Sequence, residues 1–125
     1  MKKVLIIDDY KSHAQLLARR LAGLIDASCV VTAASGEEGV QAFLDDPEIV
    51  VVVCDRNMDP MDGEDVHNHI YRELSSRGGM FYFFSVDEDS EFLAQCRKLG
   101  ANFIHKGAQG GYRAIAEMIV QELDK

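Results

Sequence analysis

A doubly wound α/β domain built on a parallel sheet is the fold class this sequence predicts, on three observations. Five short apolar runs alternate with five stretches of helical spacing, which is the pattern that parallel strands joined by crossover helices leave in a sequence. The runs are almost continuously apolar, as strands buried on both faces must be. The chain has 125 residues, 47% hydrophobic and 27% charged, enough for one domain over 1–125 with its own core and too few for a second.

The first strand is "KVLIID" (3–8), followed by a helix whose stripe is Ala14, Leu17, Leu21 and Leu24. "ASCVVT" (27–32) is the second strand, and "SGEE" opens the next helix with a capping box between Ser35 and Glu38. Pro47 stops that helix ahead of the third strand, 49/50 to 55 in "IVVVVCD", ending at Asp55. Val66, Ile70 and Leu74 mark the third helix, "MFYFFS" (80–85) the fourth strand, and Phe92, Leu93, Cys96 and Leu99 the fourth helix. "NFIHK" (102–106) is the last strand; Ile115, Met118, Ile119 and Leu123 line the last helix. Gly23, Gly78, Gly79 and Gly100 fall at helix ends, where a left-handed residue is favoured.

Charge and composition exclude several functions. A net charge of −8 argues against binding a nucleic-acid backbone, which draws on clustered Lys and Arg. No apolar run approaches the roughly 20 residues of a membrane helix, and the amino terminus has no signal-peptide pattern, so a cytoplasmic protein without membrane contact is expected. Cys29, Cys54 and Cys96 are odd in number and lack C-x-x-C spacing, so they suggest neither a disulfide framework nor a zinc site.

In an open parallel sheet, ligands bind beyond the carboxyl ends of the strands, at the point where the strand order reverses. Here those ends carry Asp8 and Asp9, Asp55, Ser85 and Lys106; only the second strand ends without such a group, which an edge position explains. The flavodoxin-like order 2-1-3-4-5 sets the other four mouths side by side. Three carboxylates so gathered raise one another's pKa unless a cation neutralises them. Hard oxygen donors with room for water and phosphate suit Mg²⁺. With a lysine ammonium and a serine hydroxyl beside them, the set is equipment for phosphorylating an aspartate.

The whole chain resembles the receiver domain of two-component response regulators, the CheY-like (βα)5 class. The resemblance rests on the acid pair at 8 and 9, "DRNMDPMDG" at 55–63, Ser85 ending the fourth strand and "GANFIHK" at 100–106. It implies that Asp55 is the phosphoacceptor, served by a histidine kinase or histidine phosphotransfer protein. Asp9 and Asp55 would bind Mg²⁺ directly with the backbone carbonyl of Asn57, and Asp8 largely through water. Ser85 and Lys106 would hold the phosphoryl oxygens, and Ser85 and Phe103 would be the switch residues. The expected product is a signalling switch and not an enzyme. It would contact a downstream protein through the face made by the fourth helix, fifth strand and fifth helix, with homodimerisation on phosphorylation as a further outcome. A stand-alone protein and an excised receiver both fit.

Three positions depart from the pattern of the family: Asp59 precedes Pro60 behind Met58, Gly107 follows Lys106, and Val86 follows Ser85 where a small residue is usual. Val86 is expected to narrow access to the phosphoryl group. Two competing functions fit less well. A Mg²⁺-dependent phosphohydrolase with an aspartyl nucleophile would carry an acid where Asn57 stands, and a degenerate receiver acting as a phosphorylation-independent binding module would not keep both the acids and Lys106. Asp8 and Asp9 could also simply cap the first helix, and the acids at 87–89 read as a helix start. His67 and His69 point to different sides of one helix, and His13 and His105 read as ordinary polar positions. Cys54, Met58 and Met61 read as packing, and "KGAQGG" as a flexible link.

Overall fold

The computed structural model describes residues 1–86 and 89–125. Its elements run β1 (Lys3–Ile7), α1 (Lys11–Leu21), β2 (Val30–Ala33), α2 (Gly36–Asp45), β3 (Ile49–Cys54), α3 (Gly63–Ser76), β4 (Met80–Ser85), α4 (Ser90–Leu99), β5 (Asn102–His105) and α5 (Gly111–Leu123). The five strands form one parallel sheet in the order β2-β1-β3-β4-β5. This is the order the strand ends called for, with β2 at an edge.

Period-two alternation splits each central strand between two cores. Val52 and Cys54 of β3 and Phe81 and Phe83 of β4 pack under α2, α3 and α4, against Phe43, Val66, Ile70, Leu74, Phe92 and Cys96. Val51 and Val53, with Tyr82 and Phe84, face α1 and α5, against Ala14, Leu17, Leu21, Ile115, Ala116 and Ile119. Each fully buried large apolar side chain contributes about 2 kcal/mol, so the sheet is held from both sides. All three cysteines are free thiols.

Several local expectations change. Residues 27–29 form a 3₁₀ turn and not the start of β2, because the Asp26 carboxylate accepts the Ser28 N–H at 2.9 Å and bends the chain. Leu24 lies past the end of α1 and is exposed, as is Met118 on the outer side of α5. Ser35 caps α2 by accepting the Glu38 N–H at 3.1 Å, but the Glu38 carboxylate reaches back to Ala34 and not to Ser35. A full capping box occurs at α3, between Asp62 and Asp65. Gly78 and Gly100 adopt left-handed φ of 70° and 71°, whereas Gly23 does not. Of the acids at 87–89, Asp87 and Glu88 lie outside the described residues; Asp89 is the N-cap of α4.

Arg77, just past α3, closes the end of the sheet remote from the strand mouths. Its guanidinium donates to the carbonyls of Phe43, Asp46 and Ile49 at 3.2, 3.0 and 2.9 Å, pairs with Glu73 at 3.2 Å and lies 3.8 Å above the Phe43 ring. It thereby satisfies carbonyls left over at the end of α2.

Candidate phosphoacceptor and metal site

Parallel strands in this order deliver their last residues to one edge, and the described residues there include Asp8, Asp9 and Asp55. One carboxylate oxygen from each lies within 4.8 Å of the others. Asp8 and Asp55 are buried, while Asp9 is exposed. Such a set of hard oxygen donors, part sheltered and part open to water, fits Mg²⁺. Asn57, whose carbonyl is the remaining expected ligand, is exposed on the loop after β3. It lines, with Asp9, Met58, Asp59 and Asp62, an open cleft of about 350 Å³ beside the acids.

Lys106 enters from the end of β5, buried. Its ammonium donates to Asp8 Oδ2 at 2.7 Å and stands 3.6 Å from Asp55 Oδ2. Asp8 is committed twice, since its other oxygen accepts the Tyr10 N–H at 2.9 Å where α1 begins. That bond turns the chain ahead of α1, whose N-cap is Tyr10 and has no side-chain cap, so neither Asp8 nor Asp9 caps the helix. Burial holds the Asp8 carboxyl above the usual carboxylate range, against the opposing pull of the Lys106 hydrogen bond.

Ser85 ends β4, fully buried and in register with His105, while Phe83 pairs with Phe103 two positions earlier. Phe103 is half-buried and meets Phe92 of α4 edge-on at 5.6 Å. Val86 is 62% exposed, so it borders the mouth and does not fill it. Cys54 sits in the α3 side of the core with its thiol pushed well up by burial, as an inert packing residue should be. Met58 and Met61 also pack on that core. The Asp59–Pro60 peptide is cis.

Two residues at this edge escaped the sequence reading. His13, in the first turn of α1, places Nδ1 3.3 Å from the Lys106 ammonium and 3.8 Å from Asp8 Oδ2. Arg56, directly after Asp55, pairs with Glu64 of α3 at 3.1 Å and with Asp89 at 3.3 Å, its guanidinium 3.8 Å from the centre of the Phe92 ring. Neither had a spacing signal in the chain; only the aspartate neighbouring Arg56 hinted at its surroundings.

A doubly wound sheet that gathers three acids and a lysine at its switch point defines the CheY-like class of α/β domain. The chain belongs to the response regulator receiver domain family, whose pattern matches residues 4–112. Among solved structures it is similar to a receiver domain protein from Clostridium thermocellum, at 25% identity and TM-score 0.77, covering 96% of this chain and 94% of that one. It is similar also to the Vibrio cholerae chemotaxis protein CheY4, with 23% identity, TM-score 0.76 and coverage of 96% and 98%. The receiver domain of a putative LuxO repressor protein from Vibrio parahaemolyticus gives 17% identity, TM-score 0.81 and coverage of 98% and 90%. Below 25% identity the likeness speaks for the fold alone. No curated protein matches significantly. No helix of the described residues is long and apolar enough to cross a membrane.

Proposed function

We propose that this receiver domain takes a phosphoryl group onto Asp55 from a phosphohistidine donor, a histidine kinase or phosphotransfer protein, and passes the change to a protein partner. The observation that carries this reading is the meeting of Asp8, Asp9 and Asp55 within 4.8 Å, with Lys106 donating to Asp8 and standing beside Asp55. A carboxylate oxygen of Asp55 attacks phosphorus, the bond to the donor nitrogen breaks, and the leaving imidazole takes up a proton. Asp9, Asp55 and the Asn57 carbonyl would hold Mg²⁺, with Asp8 acting through water; bound there, the ion supplies positive charge to the phosphoryl oxygens in transfer. Lys106 supplies a second positive charge beside Asp55. Asp9 and Asn57, exposed on the cleft wall, leave the donor an open approach.

The output follows from the β4–β5 pairing. A Ser85 hydroxyl drawn to a phosphoryl oxygen moves the end of β4, and Phe103 on the neighbouring strand repacks against Phe92, changing the α4–β5–α5 face. The product is a switch and not a turnover catalyst, working in the cytoplasm, without nucleic-acid or membrane contact of its own. Homodimerisation through that same face is a further outcome. Incubation with a small acyl phosphate and Mg²⁺ should add one phosphoryl mass to the intact protein, and Asp55→Asn should abolish it. An equal mass gain in the variant would move the acceptor elsewhere.

A further inference from the structure

We propose that His13 is a positioning residue for phosphoryl transfer, holding Lys106 at a standoff from Asp55; the inference rests on the phosphoacceptor reading above. An ammonium has only protons to give, so in a hydrogen bond across the 3.3 Å to His13 it is Nδ1 that accepts. Lys106 thus has two acceptors on the α1 side, His13 and Asp8 Oδ2 at 2.7 Å, themselves 3.8 Å apart. Asp55 Oδ2, at 3.6 Å, is beyond hydrogen-bonding distance.

That asymmetry has a chemical use. A lysine bonded directly to the Asp55 carboxylate would occupy the lone pair that must attack phosphorus. A lysine held a short step back leaves the oxygen free and still meets the phosphoryl oxygens that arrive beyond it. Asp8, held in place through its other oxygen by the Tyr10 N–H, gives the ammonium its charged anchor but only one of the directions that fix it. His13 adds a neutral acceptor fixed by the first turn of α1, whose own N–H is bonded to the Tyr10 carbonyl at 3.0 Å and whose ring lies 5.1 Å from that of Tyr10.

The test compares His13→Leu, which keeps the bulk and loses the acceptor, with His13→Asn, whose side-chain oxygen stands where Nδ1 stood. The second-order rate constant for phosphorylation by a small acyl phosphate should fall roughly tenfold in the Leu variant and recover in the Asn variant. Thermal midpoint and the Mg²⁺ concentration for half-maximal rate should stay unchanged in both. A Leu variant as fast as the parent, or two variants equally slow, would overturn the proposal. Crystal structures of the unphosphorylated parent and Leu variant read the standoff directly, with Nζ expected to close onto Asp55 in the variant; an unmoved Nζ also overturns it. If the parent itself takes no phosphoryl group, the phosphoacceptor reading fails, and the crystal structures still decide the position of Lys106.

Discussion

Two cations, the half-buried Arg77 and the buried Lys106, sit at opposite ends of the same sheet, and they are partnered in opposite ways. Arg77 is surrounded by three main-chain carbonyls, the Glu73 carboxylate and a phenyl face. Its acceptors are mostly neutral and belong to the backbone, so no ligand can replace them without unfolding the end of α2. Lys106 is more deeply buried, yet faces carboxylates in excess of its own charge. Saturation by backbone marks a structural cation; an excess of acid around a cation marks a place prepared for further positive charge.

Breaking that contrast gives the largest expected effect at the remote end. Arg77→Met should cost about 3 kcal/mol, since three carbonyls lose a charged donor. Denaturant unfolding measures it, and phosphorylation of the remaining folded protein should proceed at the parental rate. A loss within 0.5 kcal/mol, the range of ordinary surface substitutions, would show that water replaces the guanidinium freely.

A smaller effect separates the cations by their response to Mg²⁺. Binding to the folded state alone should stabilise the parent by about 1 kcal/mol at roughly five times the dissociation constant. Asp9→Ala should remove most of this. Lys106→Met should enlarge it, because one competing positive charge is gone, whereas Arg77→Met should leave it as it was. Thermal midpoints with Mg²⁺ against a matched ionic-strength control decide the order; equal responses in the Lys106 and Arg77 variants would erase the distinction drawn here.

The smallest effect concerns a third basic side chain, His67, which is buried between the Phe81 and Tyr71 rings and beside Phe83. Burial lowers its pKa below the usual 6.5. The folded state therefore resists protonation that the unfolded state accepts, so the stability from neutral His67 is present above 6.5 and is lost as pH falls below it. Glu64 and Asp65 border the same seam and oppose the trend only weakly from its solvent side. Stability should decline from pH 7 toward pH 5.5, and His67→Phe should flatten that segment. A parental profile already flat there would mean that the seam accepts the imidazolium.

Three strand mouths were legible because each shows as an abrupt change from an apolar run to a charge: Ile7 to Asp8, Cys54 to Asp55, Ile104 through His105 to Lys106. The fourth ends on the Ser85 hydroxyl, and the order 2-1-3-4-5 is the doubly wound order that sets these four ends side by side with the second strand at an edge. Arg77 was illegible because its acceptors are peptide carbonyls 28 to 34 residues away, and no side chain advertises a carbonyl. His13 was illegible for another reason, since a histidine in a first helical turn looks the same whether it faces water or a lysine 93 residues distant. The start of β2 was misjudged because "ASCVV" has strand-like residues throughout, and a single hydrogen bond from Asp26 outweighs that preference.

Gly63 carries a consequence for how far this sequence can drift. The loop leaving Asp55 returns so closely that a side chain at residue 63 would collide with the Asp55 carbonyl, the Arg56 Cα and the Phe83 ring, while the Gly63 N–H bonds the Arg56 carbonyl at 2.9 Å. Within that loop, exposed Asp59 ahead of Pro60 departs from the family pattern without disturbing the return. Position 63 has no such latitude. Any side chain there would press at once on the main chain that carries the Asp55 carboxylate and on the core ring beneath it.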